Sequence, residues 1–297
     1  MADGRRSRIT FGRARPDLYT FRVNTPTQKD KGFAFQALHQ APGIFVFPNP
    51  WDGGSARVLA GLGFQALATS SGASANVLGK RDGMVTRAEA LAHARVIVEA
   101  TDIPVAADLE RGFGDSPETV AETIRLAAEA GLAGGSIEDA TGNPERPLYD
   151  LGHAVERIAA AAEAAHSFSF PFTLTARSEN FLRGNPDLDD TIRRLQAYEK
   201  AGADVLFAPL LPDLFSVRTV CSALSKPVNF MVGVRGKSFT VAELEEAGVK
   251  RISLATSLYR AAMTGLFAAA REVRERGTFQ YLDDSVTSAE FNEYMRG

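Results

Sequence analysis

The chain has 297 residues, 45% of them hydrophobic, which supplies a sizeable core and argues against a disordered chain. A formal net charge of -3 argues against an extended nucleic-acid footprint, although the first fifteen residues, MADGRRSRITFGRAR, are locally basic. No segment reads as a signal peptide or a bilayer span, and the single cysteine, Cys221, leaves no internal disulfide, so a cytoplasmic protein is expected.

In chain order, residues 1–25 read as a loose arm, and a helix is expected near 26–40. Short β-rich runs then alternate with alanine-rich stretches of helical spacing. The runs are IFVF (44–47), QALAT (65–69), PVAAD (104–108), GGSIE (134–138), FTLTA (172–176), DVLFA (204–208), PVNFM (227–231) and RISLA (251–255). The helical stretches between them often stop at a glycine motif, as in AGLGF (60–64), EAGLAGG (129–135), KAGADV (200–205) and EAGVKR (246–251). Glycine takes the left-handed conformation that closes a helix. Eight strand-loop-helix units with no polar linker predict one (β/α)8 TIM-type barrel domain over 1–297, with a helical tail at 276–297. A doubly wound open sheet is the alternative. Phe291 and Tyr294, spaced i, i+3, give the tail an apolar edge to dock on a neighbouring subunit or on its own barrel.

In such a barrel, function collects at the C-terminal ends of the strands. Asp82, Asp108, Glu110 and Glu138 then converge on one mouth from three loops. Crowded carboxylates repel unless a cation or a proton intervenes, and an all-oxygen set suits Mg2+ or Mn2+ better than Zn2+. None of His39, His93, His153 and His166 falls at a strand end. Asp115, before SPET, reads as a helix cap. Asp139 and Glu179 fit a functional and a structural role equally, and Cys221 reads as a small core residue.

The motifs TSSGASANVLGKRDG, AADLERGFGD, GGSIEDA, TARSENF and KRISLATSLYRAA, in this order over residues 35–275, resemble the isocitrate lyase and phosphoenolpyruvate mutase superfamily. The resemblance implies Mg2+ (or Mn2+) bound through a D-x-D-x-G-[FY]-G motif, which falls on Asp108, Glu110, Gly112, Phe113 and Gly114. Glu138 of I-E-D and Asp82 complete the set, several of them acting through water. It further implies that Ser71, Gly72 and Ala73 hold a substrate carboxylate, that Arg177 clamps an oxyanion, and that Trp51 covers a planar enolate. Asn143, Arg146 and Asn229 join the substrate contacts. The implied chemistry makes or breaks a bond beside the α-carbon of a 2-oxo acid by way of a pyruvate-like enolate, with Arg177, Glu138 and Trp51 as the catalytic group.

The chain departs from that pattern in three places. The loop after I-E-D reads ATGNPERPLYD, without the K-[KR]-C-G-H motif of the cleaving lyases and without the lysine of the mutases. Glu110 is one methylene longer than aspartate, and Arg111 after it can turn inward or to solvent. The expectation is a metal-dependent lyase or decarboxylase for a small 2-oxo or 2-hydroxy dicarboxylate such as oxaloacetate or a substituted malate. A phosphorus–carbon bond enzyme and a catalytically silent ligand-binding homologue are the alternatives. Expected partners are the small anionic substrate and further copies of the chain, as a dimer or tetramer by resemblance, with no nucleic acid and no membrane.

Overall fold

The computed structural model describes residues 25–236 and 238–296, so the basic start of the arm lies outside the described residues. The first half runs α1 (Gln28–Gln40), β1 (Phe45–Phe47), α2 (Gly53–Gly61), β2 (Leu67–Ala68), α3 (Ser71–Val77), α4 (Arg87–Glu99), β3 (Val105–Asp108), α5 (Pro117–Glu129) and β4 (Gly134–Glu138). The second half runs α6 (Leu151–His166), β5 (Thr173–Arg177), α7 (Leu188–Lys200), β6 (Val205–Phe207), α8 (Leu214–Ser222), β7 (Val228–Met231), α9 (Val241–Glu246), β8 (Arg251–Ser253), α10 (Ser257–Arg276) and α11 (Ser288–Met295). Each strand lies inside the run expected for it or within one residue of it.

All eight strands are parallel, each beside its sequence neighbour from β2 round to β8, and β8 pairs with β1. The Ala68 N–H donates to Pro48 O at 3.0 Å and brings the two ends together. The result is a (β/α)8 barrel, and the sequential order excludes the doubly wound alternative.

Local chemistry explains the helix ends. Thr27, Thr86 and Thr240 each cap a helix and are answered by an acid three residues on, a reciprocal pair that satisfies two orphan N–H groups. At α5 the cap is Ser116, with Pro117 in the first turn, and not the neighbouring Asp115 as the sequence suggests. Asp115 instead accepts from Arg111 and from the Tyr149 hydroxyl, each at 2.5 Å.

The main core lies between strands and helices, where Leu67, Ile97, Ile124, Leu132, Leu174 and Leu195 are fully enclosed. Helix α1 packs across the N-terminal ends of the strands: Phe35 stacks on Phe47, and Lys31 Nζ donates to Thr101 O at 2.6 Å. The opposite, C-terminal end of the barrel stays open. Cys221 sits on α8 against Gly248, its thiol pushed up to about 12 by burial, which suits a packing role. After β8, α10 has no buried residue, whereas in the tail α11 folds back on α2, with the Tyr294 ring over Gly61 and Arg57 donating to Met295 O at 2.8 Å. Docking on its own barrel therefore holds for α11. Among the described residues no helix is long and apolar enough to cross a membrane.

Candidate active site

Three strand ends build the mouth. Asp108 closes β3, Glu138 closes β4 and Arg177 closes β5, and Glu138 and Arg177 are direct partners in the β-ladder. Asp108 is held by backbone donors: Glu110 N–H reaches Oδ1 at 3.1 Å and Ser71 N–H reaches Oδ2 at 3.4 Å. Arg177 lies between the acids, its Nη1 at 3.8 Å from Asp108 and 3.7 Å from Glu138, its face 5.1 Å from the Phe207 ring centroid. Its Nε donates to Glu179, which is completely buried. Arg183, from the loop after β5, adds a second cation 3.1 Å from Glu138 Oε1 and 2.9 Å from Glu179 Oε2.

Burial and crowding set the charges here. Burial pushes the Glu110 carboxyl up to about 7, and the negative charges of Asp108 and Asp82 push the same way. Burial likewise raises Glu138 well above the usual carboxylate range, Arg177 opposing and Glu179 and Asp108 reinforcing. Burial works against the Arg177 guanidinium, yet Glu179, Glu138 and Asp108 together hold it above its ordinary value.

Among the described residues no three acidic, imidazole or thiol groups are grouped so as to hold one cation directly. The donor chemistry nonetheless fits a hard cation. Asp108, Glu110 and Glu138 are oxygen donors, the charge of Asp108 opposes ionisation of the other two, and Mg2+ needs only one or two direct carboxylates because it keeps several waters.

The remaining sequence-predicted residues divide. Asp82 is exposed, with Gly72 so close that a Cβ there would stand 3.4 Å from its Oδ2 and 3.0 Å from Thr256. Ser71, Gly72 and Ala73 open α3 beside Asp108, and Ala73 is buried. The Trp51 ring is half-buried and meets Tyr259 edge-on at 5.6 Å, while its carbonyl accepts from His93 Nε2 at 2.7 Å. His93 Nδ1 in turn accepts from Ser74, so a buried imidazole joins the Trp51 turn to α3. Asn229 is buried inside the barrel, bound to Arg251 and Ser253.

Asn143 and Arg146 are not brought to the mouth. Their loop closes on itself, with Glu145 N–H donating to Asn143 Oδ1 at 2.9 Å and Arg146 lying 3.8 Å from Asp150, and both residues line an outer cavity with Asp115, Tyr149 and His153. Arg111 turns to Asp115, 2.5 Å away, while its charge still favours ionised Glu110. Asp139 resolves as structural: 1% exposed, it accepts from Tyr198, Arg194 and the Glu179 N–H.

Sequence reasoning missed three arginines, Arg157, Arg183 and Arg251. Arg157, fully buried on α6, donates to the carbonyls of Glu138, Arg111 and Gly114 and lies 4.2 Å from the Tyr149 ring centroid. Its signal was present: it shares a helical face with Ala154, Ile158 and Ala161, where an arginine is out of place unless it has buried acceptors.

Residues 35–274 match the family model described as phosphoenolpyruvate phosphomutase. The chain belongs to that family. Asp82, Asp108, Glu110, Glu138 and Arg177 all lie within the matched span. Among the relatives of this phosphomutase-family chain are the 2,3-dimethylmalate lyase of Eubacterium barkeri, 31% identical over 85% of this chain and 89% of that one, and the 2-methylisocitrate lyase of Escherichia coli, 30% identical over 75% and 78%. A Burkholderia cenocepacia structure described as a lyase or mutase superposes with a TM-score of 0.89 at 50% identity, covering 91% of this chain and 97% of that one. The family thus spans lyases and mutases.

Proposed function

We propose that the protein is a lyase or decarboxylase that acts beside the α-carbon of a small 2-oxo or 2-hydroxy dicarboxylate through a pyruvate-like enolate. The observation that carries this reading is the placing of Arg177 at one mouth with Asp108 and Glu138, 3.8 and 3.7 Å away. A mouth with both signs of charge can hold an anionic substrate and stabilise negative charge that grows on its oxygen in the transition state.

Arg177, held by Glu179 from behind, offers its Nη groups to the oxyanion, and the planar fork fixes the orientation. The Ser71–Gly72–Ala73 turn offers backbone N–H groups to the carboxylate, once the Ser71 N–H exchanges Asp108 for substrate. Trp51 covers the planar face. Asp108 and Glu138, with Glu110 and Asp82 through water, would hold Mg2+ or Mn2+, which supplies Lewis-acid polarisation of the 2-oxo group when bound. The loop after β4 closes on itself away from the mouth and brings neither the lyase K-[KR]-C-G-H contacts nor a mutase lysine, so the reading rests on Arg177 and the acids. The unburied α10, with Leu266 and Phe267 more than half exposed, supports a homo-oligomer in which this helix packs on a second copy.

Calorimetric titration of oxalate, an enolate mimic, with and without Mg2+ tests the proposal. Binding that requires Mg2+ and disappears in Glu138→Gln is expected. Binding of equal strength without Mg2+, or unchanged in the variant, removes the metal assignment.

A further inference from the structure

The floor of the mouth opens into a narrow space of about 60 Å³ inside the barrel, lined by Asp108 and Arg177 from the strand ends and by Arg251 from the start of β8. Arg251 opens β8 and points into the barrel, 3% exposed. Its Nε donates to Asn229 Oδ1 at 2.9 Å, Nη2 to Thr175 Oγ1 at 3.0 Å and Nη1 to His39 Nε2 at 3.1 Å, and the guanidinium lies 4.3 Å from the Phe47 ring centroid. All three acceptors are neutral. Among the described residues Arg251 has no acidic partner, which leaves a buried cation without a counter-charge.

We propose that this cavity is an anion subsite in which Arg251, Thr175 and Ser253 hold one small oxyanion or halide. The hydrogen-bond polarity argues for it. Thr175 Oγ1 already accepts from Arg251, and Ser253 Oγ accepts from Asn229 Nδ2 at 3.1 Å, so each hydroxyl proton is left to point elsewhere. A guanidinium carries five N–H donors, of which three are engaged. Around Arg251, Thr175 and Ser253 donors therefore outnumber acceptors, the pattern of a site for negative charge, while the Asp108 carboxylate on the same lining is faced by Arg177. Burial pushes Arg251 down to about 9, which still leaves it cationic at neutral pH. The space takes a few waters, and so has room for a halide, a formate or one carboxylate head.

Two sources share that chemistry. The anion is the remote carboxylate of the substrate, which rests on the lyase reading above, or it is a resident ion from solvent, which does not.

Thermal melting of the full chain in bromide, formate or gluconate at equal ionic strength, with diffraction from bromide-soaked crystals at the bromine edge, tests the subsite. Bromide and formate should raise the melting temperature saturably by about 2–4 °C over gluconate, whose carboxylate is followed by a hydroxyl-bearing chain wider than the methylene of a dicarboxylate. An anomalous peak beside Arg251 should accompany the rise. Ser253→Ala should weaken formate about tenfold or more, the loss of one charge-assisted hydrogen bond, and Arg251→Met should abolish the effect. Thr175→Val, isosteric and without a donor, serves if Arg251→Met fails to fold. Equal melting in all three salts with no anomalous peak overturns the subsite, while Mg2+-dependent oxalate binding, read separately at the mouth, would still uphold the lyase reading. Oxaloacetate that displaces bromide where oxalate does not assigns the subsite to substrate; bromide retained under both ligands assigns it to a solvent ion.

Discussion

Arg177 Nε donates to Glu179, two residues further along the chain and completely buried, so the mouth guanidinium is fixed from behind while its Nη1 faces Asp108 and Glu138. Register explains the pairing. Residues i and i+2 fall on the same side of an extended backbone, and the Glu179 N–H is tied to Asp139 Oδ1 at 2.8 Å, which keeps the side chain from swinging away.

Glu179→Gln keeps the shape and removes the charge. Arg177 then loses its anchor and Arg183 one of its two acids, so oxalate affinity should fall about tenfold or more, as expected when a charge-assisted pair that orients a binding group is broken. Stability should fall by about 2–4 kcal/mol because two cations lose a buried partner. Calorimetry and urea denaturation read the two effects separately. Unchanged oxalate affinity with lowered stability would make Glu179 purely structural.

His39 gives a pH prediction with a definite sign. Its Nδ1 donates to Phe35 O at 2.8 Å and its Nε2 accepts from Arg251 at 3.1 Å, which fixes a neutral imidazole. Burial, helped by Arg251, pushes its pKa down to about 3 from 6.5. Between these values the unfolded chain binds the extra proton, so the stabilisation is complete above pH 6.5 and is lost as pH falls toward 3. The loss should reach about 2–3 kcal/mol by pH 4.5. Denaturation midpoints from pH 7.5 to 4.5 should fall less steeply in His39→Asn than in the parent chain. Parallel slopes would show that His39 is not held neutral.

The barrel was legible because its signals are local: β-rich runs, helix-stopping glycines and a repeated unit length. Asp108 and Glu138 were legible because a strand end is a defined place in this fold, and Arg177 through the resemblance that the TARSENF motif carries. Arg157, Arg183 and Arg251 were not. Arg157 left one hint, its place on an apolar helix face, whereas an arginine in a loop or at the start of a strand reads as solvated; only the assembled barrel shows that Arg157 faces three carbonyls and Arg251 faces a cavity. Asn143 and Arg146 show the opposite limit. Their position in sequence put them near the mouth, but Thr141 and Asn143 close their loop through its own hydrogen bonds, a competition that chain order does not reveal.

Two helical glycines should respond oppositely to alanine. At Gly32 on α1 a Cβ would meet Pro171 O at 2.5 Å, backbone that cannot rotate away, so Gly32→Ala should shift α1 off the barrel and cost about 1–3 kcal/mol. At Gly152 in the first turn of α6 nothing lies within 4 Å, and Gly152→Ala should stabilise by about 0.5–1 kcal/mol through helix propensity. Thermal melting of both variants checks the pair, and a stabilised Gly32→Ala would mean that α1 does not pack this closely.

Arg157 joins the mouth to the helix layer, and its removal should damage the site without touching it. Its Nη groups satisfy Glu138 O at 3.2 Å, Gly114 O at 3.2 Å and Arg111 O, so one side chain pins both β4 and the loop after β3 that carries Glu110. Arg157→Met preserves much of the volume but leaves buried carbonyls unsatisfied, at a cost of about 2–4 kcal/mol. The loop after β3 already holds Glu110 and Phe113 at positive φ, a backbone that needs support from outside. Mg2+-dependent oxalate affinity should therefore weaken as well, with hydrogen exchange accelerated over residues 109–115 and not in α7. A variant that loses stability uniformly, with exchange in this loop unchanged relative to the rest, would show that Arg157 supports the core alone.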